Sequence, residues 1–170
     1  MEIEIEPFAK EKGDAFCAFL KQCWLDTYIG EVGPSATEAL IHSMLGEGIG
    51  SLVPGRDEKA YLAYLEEGIV GSVICAHRQH FLYVWGLYVN KEKQRRGLGV
   101  RLLCHAMAGL HEDTIVEVSV LKASLKARDF YDKLGFRKVR EEQYEMGPGH
   151  PVSSLVLQAP VAHIRKFACS

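Results

Sequence analysis

Residues 87–103 read LYVNKEKQRRGLGVRLL. Three strand-type residues, Leu87 to Val89, give way to a run of charge. Gly97 and Gly99 then open an apolar segment in which Leu98, Leu102, Leu103, Met107 and Leu110 recur at helical spacing. A helix that starts straight after a glycine-rich turn presents unpaired backbone N–H groups and the positive end of its dipole. Together these make an anion site. Without Cβ atoms, Gly97 and Gly99 let a phosphate approach the backbone and make φ > 0 inexpensive. Arg95 and Arg96 add positive charge at the rim.

Upstream, AYLAYLEEGIVGSVICAHRQHFLYVWGLYVN (60–90) reads as three strands. Glu67-Gly68 and Arg78-Gln79-His80 form the turns, which are too short for a crossover, so the meander is antiparallel. Downstream, residues 98–110 form a helix and TIVEVSVL (114–121) alternates as a strand. Residues 124–134 form another helix, with Gly135 at its C′ position. FRKVREEQYEM and SSLVLQAP close the chain as two strands around Gly147-Pro148-Gly149. At the start, Ile3 and Ile5 alternate with acids in a short strand ended by Pro7, and residues 10–29 make an amphipathic helix. A second helix follows, with Ser35 as N-cap and Glu38 in a capping box. Residues 46–58 read as a loop. The order is strand, two helices, three strands, helix, strand, helix, two strands. This is a mixed α/β chain with about seven strands, read as a single domain over 1–170.

The bulk composition is that of a soluble globular protein, 48% hydrophobic and 25% charged, and the net charge of −2 speaks against a nucleic-acid partner. The five cysteines (17, 23, 75, 104 and 169) show no metal-ligand spacing and no secretory framework, so we expect no metal and reduced thiols. No signal peptide and no apolar run of membrane-spanning length is evident, so we expect a cytoplasmic protein with no membrane partner.

Three phosphate readings compete for QRRGLG. The P-loop pattern GxxxxGK[ST] is absent. The dinucleotide fingerprint GxGxxG fails at Leu102 and follows hairpins, although Glu117 superficially mimics its ribose-binding acid. The third reading is a coenzyme A pyrophosphate loop, set against a plain helix start with solvated arginines. QRRGLG matches the [QR]xxGxG signature of the GNAT-type N-acetyltransferases. A second stretch, ASLKARDFYDKLGF (123–136), resembles that family's NxxAxxFYxxxGF pattern at Ala127, Phe130, Tyr131, Gly135 and Phe136. WLDTY (24–28) looks like its first helix, and the resemblance covers nearly the whole chain. One departure is Ser124 where asparagine is usual.

The resemblance implies a GNAT-like fold with a mostly antiparallel mixed sheet, flanking helices and fourth and fifth strands that splay apart. Those strands would be 81–89 and 114–121, with Gly86 marking a bulge. Acetyl-CoA would be the cosubstrate, its pantetheine along Leu87, Tyr88 and Val89. Its pyrophosphate would sit on the backbone of Arg95, Arg96, Gly97, Leu98, Gly99 and Val100, with the side chains of Gln94, Arg95 and Arg96 in reach. Ser124 would make a weaker contact than asparagine. Tyr131 would be the general acid for the leaving thiolate, a phenol of pKa ~10 against a thiol of ~8.5.

The general base is less legible. The fourth strand offers Tyr83, Trp85 and Tyr88 but no acid, which leaves Glu117, His77, His80 or water. The acceptor would carry a primary amine and meet residues 25–35, 46–56 and 143–152. Asp26, Glu31, Glu141, Glu142 and Glu145 make that rim acidic, suited to a cation. The acceptor's identity stays open, as does a homodimer. The rival reading is a non-catalytic acyl-CoA-binding or sensing module.

Overall fold

The computed structural model describes residues 2–52, 54–66 and 68–168. Its strands are β1 (Glu4–Pro7), β2 (Glu58–Leu65), β3 (Gly68–Arg78), β4 (Phe81–Val89), β5 (Ile115–Leu121), β6 (Arg137–Glu145) and β7 (Pro151–Pro160). They form one sheet in the order β1-β2-β3-β4-β5-β7-β6. All neighbours are antiparallel except β4 and β5, the pair joined through a helix, α3 (Leu98–Ala106). A second helix, α4 (Leu125–Lys133), carries the chain from β5 to the edge strand β6, and β7 then returns between them. The mixed α/β architecture of seven strands is the expected one. Gln79, at φ 54, and His80 turn β3 into β4. Glu67 of the other expected turn, and Cys169, lie outside the described residues.

Two helices, α1 (Gly13–Val32) and α2 (Pro34–Leu45), cover one face of the sheet, where Phe16, Leu20, Trp24 and Leu40 pack against Leu62 and Ile74. On the other face, Leu98, Leu102 and Met107 pack with Ile164 of α5 (Val161–Ala168) against Val73, Val116 and Val118. β3 lies under both layers, which is why its middle, Val70 to Ala76, is buried without a break and not in alternation.

Three local expectations change. Ser35 does not cap α2: Pro34 occupies its first turn, so the cap is Gly33 at φ 89, and Thr37 Oγ1 donates to the Gly33 carbonyl at 2.8 Å. The helix read over 98–110 ends at Ala106. Gly109 takes φ 77, and Arg165 of α5 donates to the carbonyls of Met107 and Leu110. α5 itself was not read from the sequence. Cys17, Cys23 and Cys75 are free thiols, whereas Cys104 is disulfide-bonded, a departure from five reduced thiols. Among the described residues no helix is long and apolar enough to cross a membrane.

The β6–β7 hairpin is tied to the helical layer at its tip. Met146 is buried with α1 and α2, and a Cβ on Gly147 would stand 2.5 Å from Ala39 Cβ. Only glycine lets the hairpin backbone rest on α2.

Candidate active site

β4 and β5 pair only from Phe81↔Ile115 to Val84↔Val118. At the next residue, Trp85, the register against β3 slips from Cys75↔Val84 to Ile74↔Gly86, a β-bulge. A bulge bends its strand and sharpens the twist. Beyond it β4 stays with β3 through Val89, and β5 stays with β7 through Leu121. Among the described residues, the facing edges of Leu87–Val89 and Ser119–Leu121 carry no pairing with each other, so a cleft opens there. Gly86 serves the cleft less through its backbone than through its missing side chain. A Cβ there would stand 2.9 Å from the Tyr88 ring.

The loop after β4 is held from within. Asn90 Oδ1 accepts from the Glu92 N–H at 2.9 Å, and Gln94 Nε2 donates to the Val89 carbonyl at 3.1 Å. Gln94 therefore braces the loop against the end of β4, while the Arg95 and Arg96 side chains are exposed. Arg95 (φ 63) and Gly97 (φ 77) take left-handed conformations that swing the chain into α3. Gly97 is the N-cap and no side chain caps the helix, so the first N–H groups, from Leu98 to Val100, are available to an anion. Gly99 has a different reason: its Cβ would meet the Phe130 ring at 3.3 Å, where α3 packs on α4.

Across the cleft stands α4. Tyr131 is 6% exposed, with Phe130 and Phe136 edge-on at 5.1 Å each. Burial, and then the neighbouring Tyr88, push its phenol well above the ordinary value, so it stands neutral. Ser124, two turns earlier at the N-cap, is 4% exposed, and its Oγ donates to the Glu31 carboxylate in the last turn of α1. One turn back on α1, the Tyr28 hydroxyl lies 3.1 Å from that of Tyr88. Burial raises both phenols, and the charge of Glu31 adds to the rise at Tyr28. Trp24 packs edge-on to Tyr88. A cavity of about 370 Å³ is lined by Val32, Leu121, Lys122, Ala123, Val152 and Ser153.

Residues 35–150 match the acetyltransferase (GNAT) domain family. The chain belongs to that family. Its fold is that of solved relatives. One is the PaiA N-acetyltransferase of Thermoplasma acidophilum in complex with coenzyme A, 19% identical with a TM-score of 0.72 over 94% of this chain and 99% of that one. A GCN5-related N-acetyltransferase of Rhodopseudomonas palustris is 15% identical, with a TM-score of 0.75 over 94% and 96%. The ribosomal-protein-S18-alanine N-acetyltransferase of Escherichia coli is 14% identical, with a TM-score of 0.63 over 95% of both chains. At these identities the likeness is one of fold. No curated protein matches the sequence.

Within this GNAT domain the expected residues fall into two groups. Leu87, Tyr88, Val89 and the loop from Gln94 to Val100 follow the β4 bulge, while Ser124, at the N-cap, and Tyr131 lie on α4 after β5, with Tyr131 near enough to Tyr88 to feel its charge. Glu117 is not brought to the cleft. It sits opposite Tyr83 in the paired part of β4–β5, where its carboxylate accepts from Gln158 at 2.8 Å and lies 3.6 Å from Arg140. His77 and His80 are exposed at the opposite end of β4. Glu141 is paired with Lys122 and Lys138, and Glu142 with Arg140. The Tyr28–Tyr88 pair and the Glu31–Ser124 contact were not read from the sequence. Tyr28 and Glu31 are one turn apart, a spacing that puts them on one face of α1, but nothing local says which strand that face meets.

Proposed function

We propose that this protein is an acetyl-CoA-dependent N-acetyltransferase, a single catalytic domain that acetylates a primary amine by direct attack within a ternary complex. One observation carries the reading: the cleft that opens at the Trp85 bulge runs from unpaired strand edges to the uncapped start of α3. Pantetheine amides suit the backbone of Leu87–Val89, and a pyrophosphate suits the N–H groups that follow Gly97. The likeness to a relative solved with coenzyme A supports the same placement.

Holding amine and thioester together converts a two-body encounter into a local one. A backbone N–H of β4 beside Tyr88 polarises the carbonyl oxygen as negative charge develops on it. The amine nitrogen bonds to the carbonyl carbon, the C–S bond breaks, and the thiolate leaves toward Tyr131. Burial raises that phenol above its ordinary value, so it meets the thiolate as a neutral, proton-bearing group.

The test combines coenzyme A titration by calorimetry with amine-dependent release of free thiol from acetyl-CoA. Saturable binding together with thiol release stoichiometric with acetylated amine is the expected result. Binding without release across primary amines would instead favour an acyl-CoA-sensing module.

A further inference from the structure

Resting on the acetyltransferase reading, we infer that Glu31 is the catalytic base and ammonium-binding residue, and that the acceptor is an alkylamine that arrives protonated. The sequence points first to Glu117 for this role, but that carboxylate is engaged by Gln158 and Arg140 in the closed part of the sheet. The other rim acids are held elsewhere or exposed: Glu141 by two lysines, Glu142 by Arg140, and Asp26 by the amide of Gln22. Among the described residues, Glu31 has no cationic partner, and its contact is the hydroxyl of Ser124. Its helix face also carries Tyr28, bonded to Tyr88 beside the cleft.

This is a carboxylate held by the hydroxyl of a neighbouring helix. Ser124 donates to one of its oxygens, which orients the group and leaves further lone pairs for an ammonium. An alkylamine of pKa near ~10 arrives as R–NH₃⁺ and has no lone pair to attack with. A carboxylate that holds the ammonium beside the thioester can take up its proton as attack begins. Glu31 takes one proton, becoming the neutral acid, and the freed R–NH₂ attacks the thioester. As the C–N bond forms and the C–S bond breaks, the thiolate gains a proton from Tyr131. The second nitrogen proton passes through solvent to the tyrosinate and restores the phenol. Glu31 then releases its own proton to solvent. An arylamine, already neutral at pH 7, needs no such base.

The groups facing Glu31 are Tyr28 on its own helix and Ser124 on α4, with Tyr88 on β4 and Tyr144 on β6 acting on Tyr28 behind it. Thiol release would be followed with n-butylamine, 1,4-diaminobutane and aniline for the wild type, Glu31→Gln and Glu31→Asp. For the two alkylamines, Glu31→Gln should lower kcat/KM by about 10²-fold or more and leave coenzyme A affinity within about twofold. Glu31→Asp should restore part of the rate. Unchanged alkylamine turnover in Glu31→Gln would overturn the inference. So would an equal loss of coenzyme A affinity, which would make Glu31 a mere tether between α1 and α4. A wild type that prefers aniline also overturns it while leaving the acetyltransferase reading intact. If wild type binds coenzyme A and acetylates none of the three, that broader reading falls first and takes this one with it.

Discussion

The hydroxyls of Tyr28 and Tyr88 lie 3.1 Å apart, joining the last turns of α1 to the strand beyond the β4 bulge. This bond ties the helical layer to the cleft wall. Replacing either tyrosine by phenylalanine should lower stability by about 0.5–1.5 kcal/mol, the net worth of a part-buried hydrogen bond. The second replacement should cost much less once the first is made. A double-mutant cycle in urea reads this directly, and additive losses would mean the two hydroxyls do not stabilise the fold through each other.

Gly86 is explained by its neighbour two residues on. A Cβ at 2.9 Å from Tyr88 Cε2 must push that ring aside, so Gly86→Ala should destabilise by about 1–3 kcal/mol and weaken coenzyme A binding. Trimming Tyr88 to alanine first should remove most of the further cost. If Gly86→Ala costs the same in both backgrounds, the glycine is needed by the backbone and not by the ring.

Gly97 separates conformation from approach. Its φ of 77 disfavours alanine, yet nothing stands within 4 Å of the Cβ position. Gly97→Ala should therefore cost about 1–2 kcal/mol, while Gly97→Asn, which tolerates the left-handed region, should fold nearly as well as wild type. Both should bind coenzyme A more weakly, because each adds an atom where a phosphate would approach. Calorimetry on the asparagine variant decides it: full affinity would move the pyrophosphate off this loop.

What could be read in advance follows the range of the interaction that fixes it. Hydrophobic period and turn chemistry are local, so the strands, α1, α3 and α4 were legible, as was a bulge near Gly86. The capping box at Ser35 was misread because Pro34 claims the first turn of α2 one residue earlier. α5 was missed because its role, closing the end of α3 through Arg165, is a contact between residues more than fifty apart. Glu31 was read only as a rim acid. Its meeting with Ser124 spans 93 positions, and no spacing rule encodes that.

Tyr131 offers a clean substitution, because phenylalanine keeps the ring that packs between Phe130 and Phe136. Tyr131→Phe should lower kcat by about 10²-fold while the coenzyme A dissociation constant stays within about twofold. Single-turnover thiol release is the measurement, since it isolates bond breaking from product departure. An unchanged single-turnover rate would remove Tyr131 from the mechanism.

Two buried thiols make the alkaline side of the stability profile testable. Burial pushes Cys23 up to about 12 and Cys75 up to about 11, with Asp26 adding to the rise at Cys23 and Lys59 opposing it at Cys75. In the unfolded chain both ionise near ~8.5. Above that pH the unfolded state has released protons that the folded state retains, so ionisation favours unfolding. The stabilisation is complete below about pH 8.5 and is lost as pH climbs toward 11 and 12, at up to about 1.4 kcal/mol per pH unit for each thiol. Urea midpoints at pH 7, 9 and 10.5 should fall in that order. In Cys23→Ala and Cys75→Ala the fall between pH 9 and 10.5 should be shallower, whatever the substitutions cost at pH 7. A slope as steep as wild type in both variants would trace the alkaline loss to the buried tyrosines, whose own ionisation begins only near pH ~10 in the unfolded chain.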